Sequence, residues 1–110
     1  MTRRPASKLA EAISVEIVNV LTFTGAVAVD VLASRPWASI TFSGERHHLR
    51  VSFDGPGAVG AAADLLQRLD ALEVAIPGLL LADLALLAES RRDDGRRARL
   101  DLEALTIDED

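Results

Sequence analysis

Cysteine is absent from all 110 residues. That excludes a disulfide framework, a thiolate nucleophile and cysteine-ligated zinc. Long apolar runs are absent as well. No stretch reaches the about 18 apolar residues that a membrane-spanning helix needs, so none is expected. Basic charge is in deficit, because 12 Lys and Arg stand against 17 Asp and Glu, for a net charge of −5. General nucleic-acid binders and proteins of anionic membrane surfaces both need a basic face, so neither partner is expected. Arg3, Arg4 and Lys8 stand near the start, but Glu11, Glu16 and Asn19 interrupt the apolar residues after them. That makes a poor secretory leader and points to the cytoplasm. Repeats with a period of about 20–50 residues, low-complexity tracts and a G-x-S-x-G elbow are also missing.

What remains is a chain with 49% hydrophobic and 26% charged residues. This composition fits one globular domain over residues 1–110, with 1–12 as a loose or short-helical terminus. The organising stretch runs from Ser39 to Leu72. Ile40 and Phe42, then Leu49, Val51 and Phe53, alternate with polar residues, as strands with one buried face do. Ser43–Arg46 has turn chemistry between the two arms. Asp54-Gly55-Pro56-Gly57 stops the second arm. Residues 58–72 then place Val59, Ala62, Leu65, Leu66, Leu69 and Leu72 at helical spacing.

On either side of this stretch the signals conflict. Residues 14–23 are β-branched and read as a strand with Val18 and Val20 on its second face. Residues 26–34 fit a strand by their valines and a short helix by topology; the helix is preferred, with Arg35-Pro36 ending it. Residues 79–90 are rich in Ala and Leu, which favours helix. Yet Asp94-Gly95 is a hairpin turn signal, and 97–107 alternate well, so both arms are assigned to one hairpin. The expected fold is α+β, a mostly antiparallel sheet of four to six strands with one main covering helix at 58–72. The order would be the ferredoxin-like β-α-β-β-α-β plus a C-terminal strand.

Few residue groups suggest chemistry. Gly55, Gly57 and Gly60 fit G-x-G-x-x-G ahead of a helix, where free N–H groups and the positive end of the helix dipole can hold an anion. The antiparallel context is wrong for a dinucleotide fold, and no acidic residue follows at the required place. His47 and His48 are neighbours on a strand and point apart, so no metal site and no cofactor are expected. The same parity leaves His47 at the sheet rim and His48 in solvent. Trp37 is read as an edge-of-core residue, with an interface anchor as its rival role.

The strongest residual is surplus apolar surface on the second sheet face, carried by Val18, Val20, Leu81, Ala85, Leu87, Leu105 and Ile107. Monomers rarely expose such a patch. The expectation is therefore a non-catalytic binding or assembly module, homodimeric through that face or bound to another protein. Two rivals are a small-ligand or phosphate binder at Gly55–Gly60 and a small enzyme of unspecified reaction.

Overall fold

A computed structural model describes residues 5–109. Of the loose or short-helical terminus expected at 1–12, residues 1–4 lie outside this range, as does Asp110, and residues 5–12 belong to a longer helix. The chain runs α1 (Pro5–Val20), β1 (Ala26–Ala38), β2 (Ser43–Asp54), α2 (Ala58–Arg68), β3 (Leu79–Arg92) and β4 (Arg97–Asp108). A short 3-10 turn, Leu69–Ala71, extends α2. The four strands form one antiparallel sheet in the order β1-β2-β4-β3. The result is an α+β fold made of two αββ units in series, in place of the order β-α-β-β-α-β. The central strands are the second strands of each hairpin, and β1 and β3 are the edges.

Both helices lie on one side of the sheet. Leu9, Ile13 and Ile17 of α1 are fully buried at a spacing of four, and Leu21 continues the stripe. Ala58, Ala62 and Leu65 form the buried stripe of α2, at spacings of four and three. They meet Leu49, Val51 and Phe53 of β2, and Ala98, Leu100, Leu102 and Ala104 of β4, in one contiguous core. Phe23 closes one end edge-on to Phe53, with ring centroids 5.7 Å apart. Each fully buried Leu or Ile contributes roughly 1.5–3 kcal/mol, so these stripes dominate the fold.

Several expectations are corrected. Residues 14–20 are helical although Val15, Ile17, Val18 and Val20 favour strand. The stripe that decides this begins at Leu9, outside the β-branched window, and burial along it outweighs a propensity difference of under about 1 kcal/mol per residue. Residues 26–34 belong to β1, as their valines suggest: Val27, Val29 and Val31 alternate inward against Phe53, Val51 and Leu49. β1 continues through Pro36, which an edge strand tolerates because its missing donor need not face a neighbour.

The expected arm at Ile40 and Phe42 is the turn itself. Phe42 N–H donates to Ser39 Oγ at 3.1 Å, and Ser39 N–H to Phe42 O at 2.7 Å. Ile40 is fully exposed. Five alternating residues resemble a strand, but the pairing of 26–38 with 43–54 sets the turn at 39–42. The C-terminal hairpin follows the expectation, with β3 strand throughout despite its helical composition. Among the described residues, no helix is long and apolar enough to cross a membrane.

Candidate functional site

Cross-strand partners share a face, so the register assigns each paired strand residue to the helix side or the open side. On the open side one row joins Asp30, Arg50, Asp101 and Ala88. Arg50 grips Asp101 with two hydrogen bonds, Nε to Oδ1 at 2.9 Å and Nη2 to Oδ2 at 3.2 Å. His48 Nε2 lies 3.3 Å from the same Oδ2. The Arg50 hydrogen bond, opposed in part by desolvation, holds the Asp101 carboxyl below its usual range. Arg46 pairs with Glu103 at 3.0 Å and Arg97 with Asp54 at 3.2 Å. Along β2 and β4 the open face thus carries a ladder of ion pairs in place of the continuous apolar face expected from the sequence.

The residues assigned to that face are scattered. Val18 is exposed on α1, while Val20 and Leu81 are partly buried against the core. Ala85 is exposed on the β3 edge, and Leu87 is exposed where β3 slips register against β4. Leu105 and Ile107 do lie on the open side, beside Arg46 and Gly44. Trp37 shares a row with Ile107 and Leu80 at that end of the sheet. Its indole N–H is buried with no partner among the described residues.

The glycine stretch turns the chain from β2 into α2. Gly55 (φ +133°) and Gly57 (φ +83°) occupy conformations that side chains resist. Gly60 has open space where a Cβ would stand, so no close approach requires it. The helix start borders a cavity of about 330 Å³ with Leu21, Thr22 and Thr24 on one wall and Asp64 on the other. That lining offers an anion a carboxylate and no cation.

The sequence reading misplaces His47. It is fully buried, two residues from Leu49 on the covered face, and that parity is the signal that would have found it. Ser34 Oγ lies 2.7 Å from Nδ1, and Thr106 Oγ1 lies 3.0 Å from Nε2. Thr106 donates its own hydroxyl proton to Glu45 O at 3.3 Å. Thr106 therefore accepts from Nε2–H, and Nδ1 accepts from Ser34. Burial pushes the His47 pKa down, against the nearby Glu45 carboxylate. A hydroxyl on a neutral imidazole is also how a nucleophile is activated. Here, however, neither Ser34 nor His47 lines the cavity at the helix start or the groove beside α1. The geometry is that of a buried histidine with both nitrogens satisfied.

That groove holds about 530 Å³ between α1 and the α2–β3 connection. Ala12 and Val15 form one wall, Val74, Ile76 and Pro77 the other, and Glu73 N–H ties the walls together through Glu16 at 3.0 Å.

The remaining exposed feature is the outer edge of β3. Leu80, Leu86 and Leu87 are 50%, 42% and 52% exposed. Every residue from Ala85 to Arg92 is exposed, and among the described residues no strand pairs with that edge. Nor do Asp83, Glu89, Arg91 and Arg92 have ion-pair partners among the described residues, unlike Arg46, Arg50 and Asp54 of β2 and Asp101 and Glu103 of β4. No protein-family model matches this chain, and no curated protein sequence gives a significant match to it.

Proposed function

We propose that this protein is a non-catalytic assembly module, and that it makes its protein contact along the outer edge of β3 rather than across a sheet face. The observation that carries this reading is the coincidence of three half-exposed leucines, unmatched charges and free backbone groups on one 14-residue edge strand. An unpaired strand offers a row of donors and acceptors that another strand can satisfy, and alternate side chains supply selectivity. On the central strands Arg46, Arg50, Asp54, Asp101 and Glu103 already have partners, so they offer an incoming protein less.

Sedimentation velocity over a wide concentration range tests the proposal. The expected result is an oligomer that weakens when Leu86 and Leu87 are replaced by Ser. Particles that remain monomeric at high micromolar concentration, alone and in the presence of cell extract, would overturn it.

A further inference from the structure

The assembly reading leaves open what pairs with the edge, and the pattern of β3 itself narrows the choice. The strand slips register against β4 between Leu81 and Asp83 and again between Leu86 and Ala88. A bulge interrupts an edge, and a mid-strand bulge is an obstacle to most incoming strands. Between and beyond the slips lie two regular runs, 83–86 and 89–92. We infer that the partner is a second copy of this chain, whose β3 pairs antiparallel with the first across a two-fold axis between Leu87 and Ala88.

In that register 83–86 of one copy lies along 89–92 of the other, twice over, and the Leu86/Ala88 slip of each copy falls at the axis. The sides match. Asp83 and Arg92 belong to the open side, by their rows with Leu105 and Arg97. Leu84, Leu86, Glu89 and Arg91 belong to the helix side, by their rows with Ala104, Leu102, Leu100 and Ala98. Each proposed partner therefore meets one on its own face: Asp83 with Arg92, Leu84 with Arg91, Ala85 with Ser90, and Leu86 with Glu89. Residues of β3 on one face of the sheet also direct their backbone groups to the same side, so the hydrogen-bonding pattern is consistent across the bulge.

One pair of opposite charges also matches. Asp83 and Arg92 lack ion-pair partners among the described residues, and this register brings them opposite each other at both ends. An isologous contact requires such self-complementarity. A parallel arrangement or a shift by one residue would lose it. The same contact places Leu87 against Ala88 at the centre and joins two four-stranded sheets into one of eight strands. The β1 edge carries a shorter version, Asp30 and Arg35 about a slip at Leu32. Pro36 removes a backbone donor just beyond it, so β3 is the better edge.

A ten-residue edge is a small interface, so a weak, micromolar dimer is expected. Asp83→Arg and Arg92→Asp should each weaken it by about tenfold, since each puts like charges opposite one another twice. The double variant should restore wild-type affinity. Because the chain has no cysteine, an Ala85→Cys, Ser90→Cys variant provides a second measurement. Positions 85 and 90 of one strand are about 16 Å apart, too far for an internal disulfide. Mild oxidation should therefore give a covalent dimer. A dimer that ignores both single charge reversals and does not cross-link would overturn this register while leaving the assembly reading standing. A dimer that responds only to Asp30→Arg and Arg35→Asp would overturn this register and the assignment of the contact to β3. A chain monomeric at every concentration would overturn both.

Discussion

Along β2, His47, Leu49, Val51 and Phe53 lie beneath the helices, while Arg46, His48, Arg50 and Ser52 between them occupy the open side. The two sets are interleaved in one segment and separated only by the period of the strand. The covered set gains from removing apolar area from water and tolerates a polar member only when it is fully hydrogen bonded. The open set keeps its water, and its ion pairs are worth little to stability. One face therefore holds the fold together, and the other carries most of the ion pairs of the sheet.

The largest expected effect comes from placing a charge on the covered side. Leu65→Asp should abolish cooperative unfolding, read as loss of a thermal transition by circular dichroism. Leu102→Ala should keep the fold and lower its stability by about 2–5 kcal/mol in urea titration. A cost near zero there would mean that the strand side facing the helices is misassigned.

Next comes His47. Replacement by Ala leaves Ser34 and Thr106 without their partner and opens a cavity, costing about 1–3 kcal/mol in the same titration. The pH dependence is more specific. The fold holds this imidazole neutral, with its pKa below 6.5. The unfolded chain thus takes up the proton first, and stability falls as the pH drops below about 6.5. A His47→Gln variant should show a flatter melting-temperature profile between pH 7 and 5. An identical slope in both proteins would reject the buried neutral histidine.

The open face should respond less and in a different window. Asp101 has a depressed pKa, so its contribution is present above the usual carboxylate range and is lost as the pH falls through its lowered value. Asp101→Asn should therefore change the melting temperature slightly at neutral pH and not at all in strong acid. High salt should shrink the difference further. The smallest effect belongs to Ile40→Ser at the exposed β1–β2 turn, which should leave the melting temperature unchanged and confirm that the alternation around Ile40 marks no strand.

Much of the architecture is legible where periodicity and turn chemistry agree. The helix after Pro56-Gly57 and the alternation of 97–107 around Asp94-Gly95 are both found. The C-terminal hairpin is recognisable only because β4 requires a partner, since Leu79–Ser90 taken alone favours helix. The misreadings fall where a short window decides. Residues 14–23 resemble a strand until the window is extended to Leu9. The Ser39–Ser43 alternation suggests a strand until the longer pairing of β1 with β2 is known. Treating 14–20 as a strand also adds Val18 and Val20 to a sheet face, whereas both belong to α1.

By itself the sequence determined the α+β class, the α2 helix, the strand character of β2 and β4, and the alternation that sorts their residues onto two faces, because each follows from local spacing. Tertiary structure decided the rest. Burial under a whole sheet made the second half of α1 helical against its β-branched composition, and pairing with β4 made β3 a strand against its own composition. Strand order placed β2 and β4 in the centre and left β3 at an edge, and that is why its leucines and unmatched charges are exposed. Which segment of a chain ends up unpaired depends on how all the others have paired, so no window of sequence contains that information.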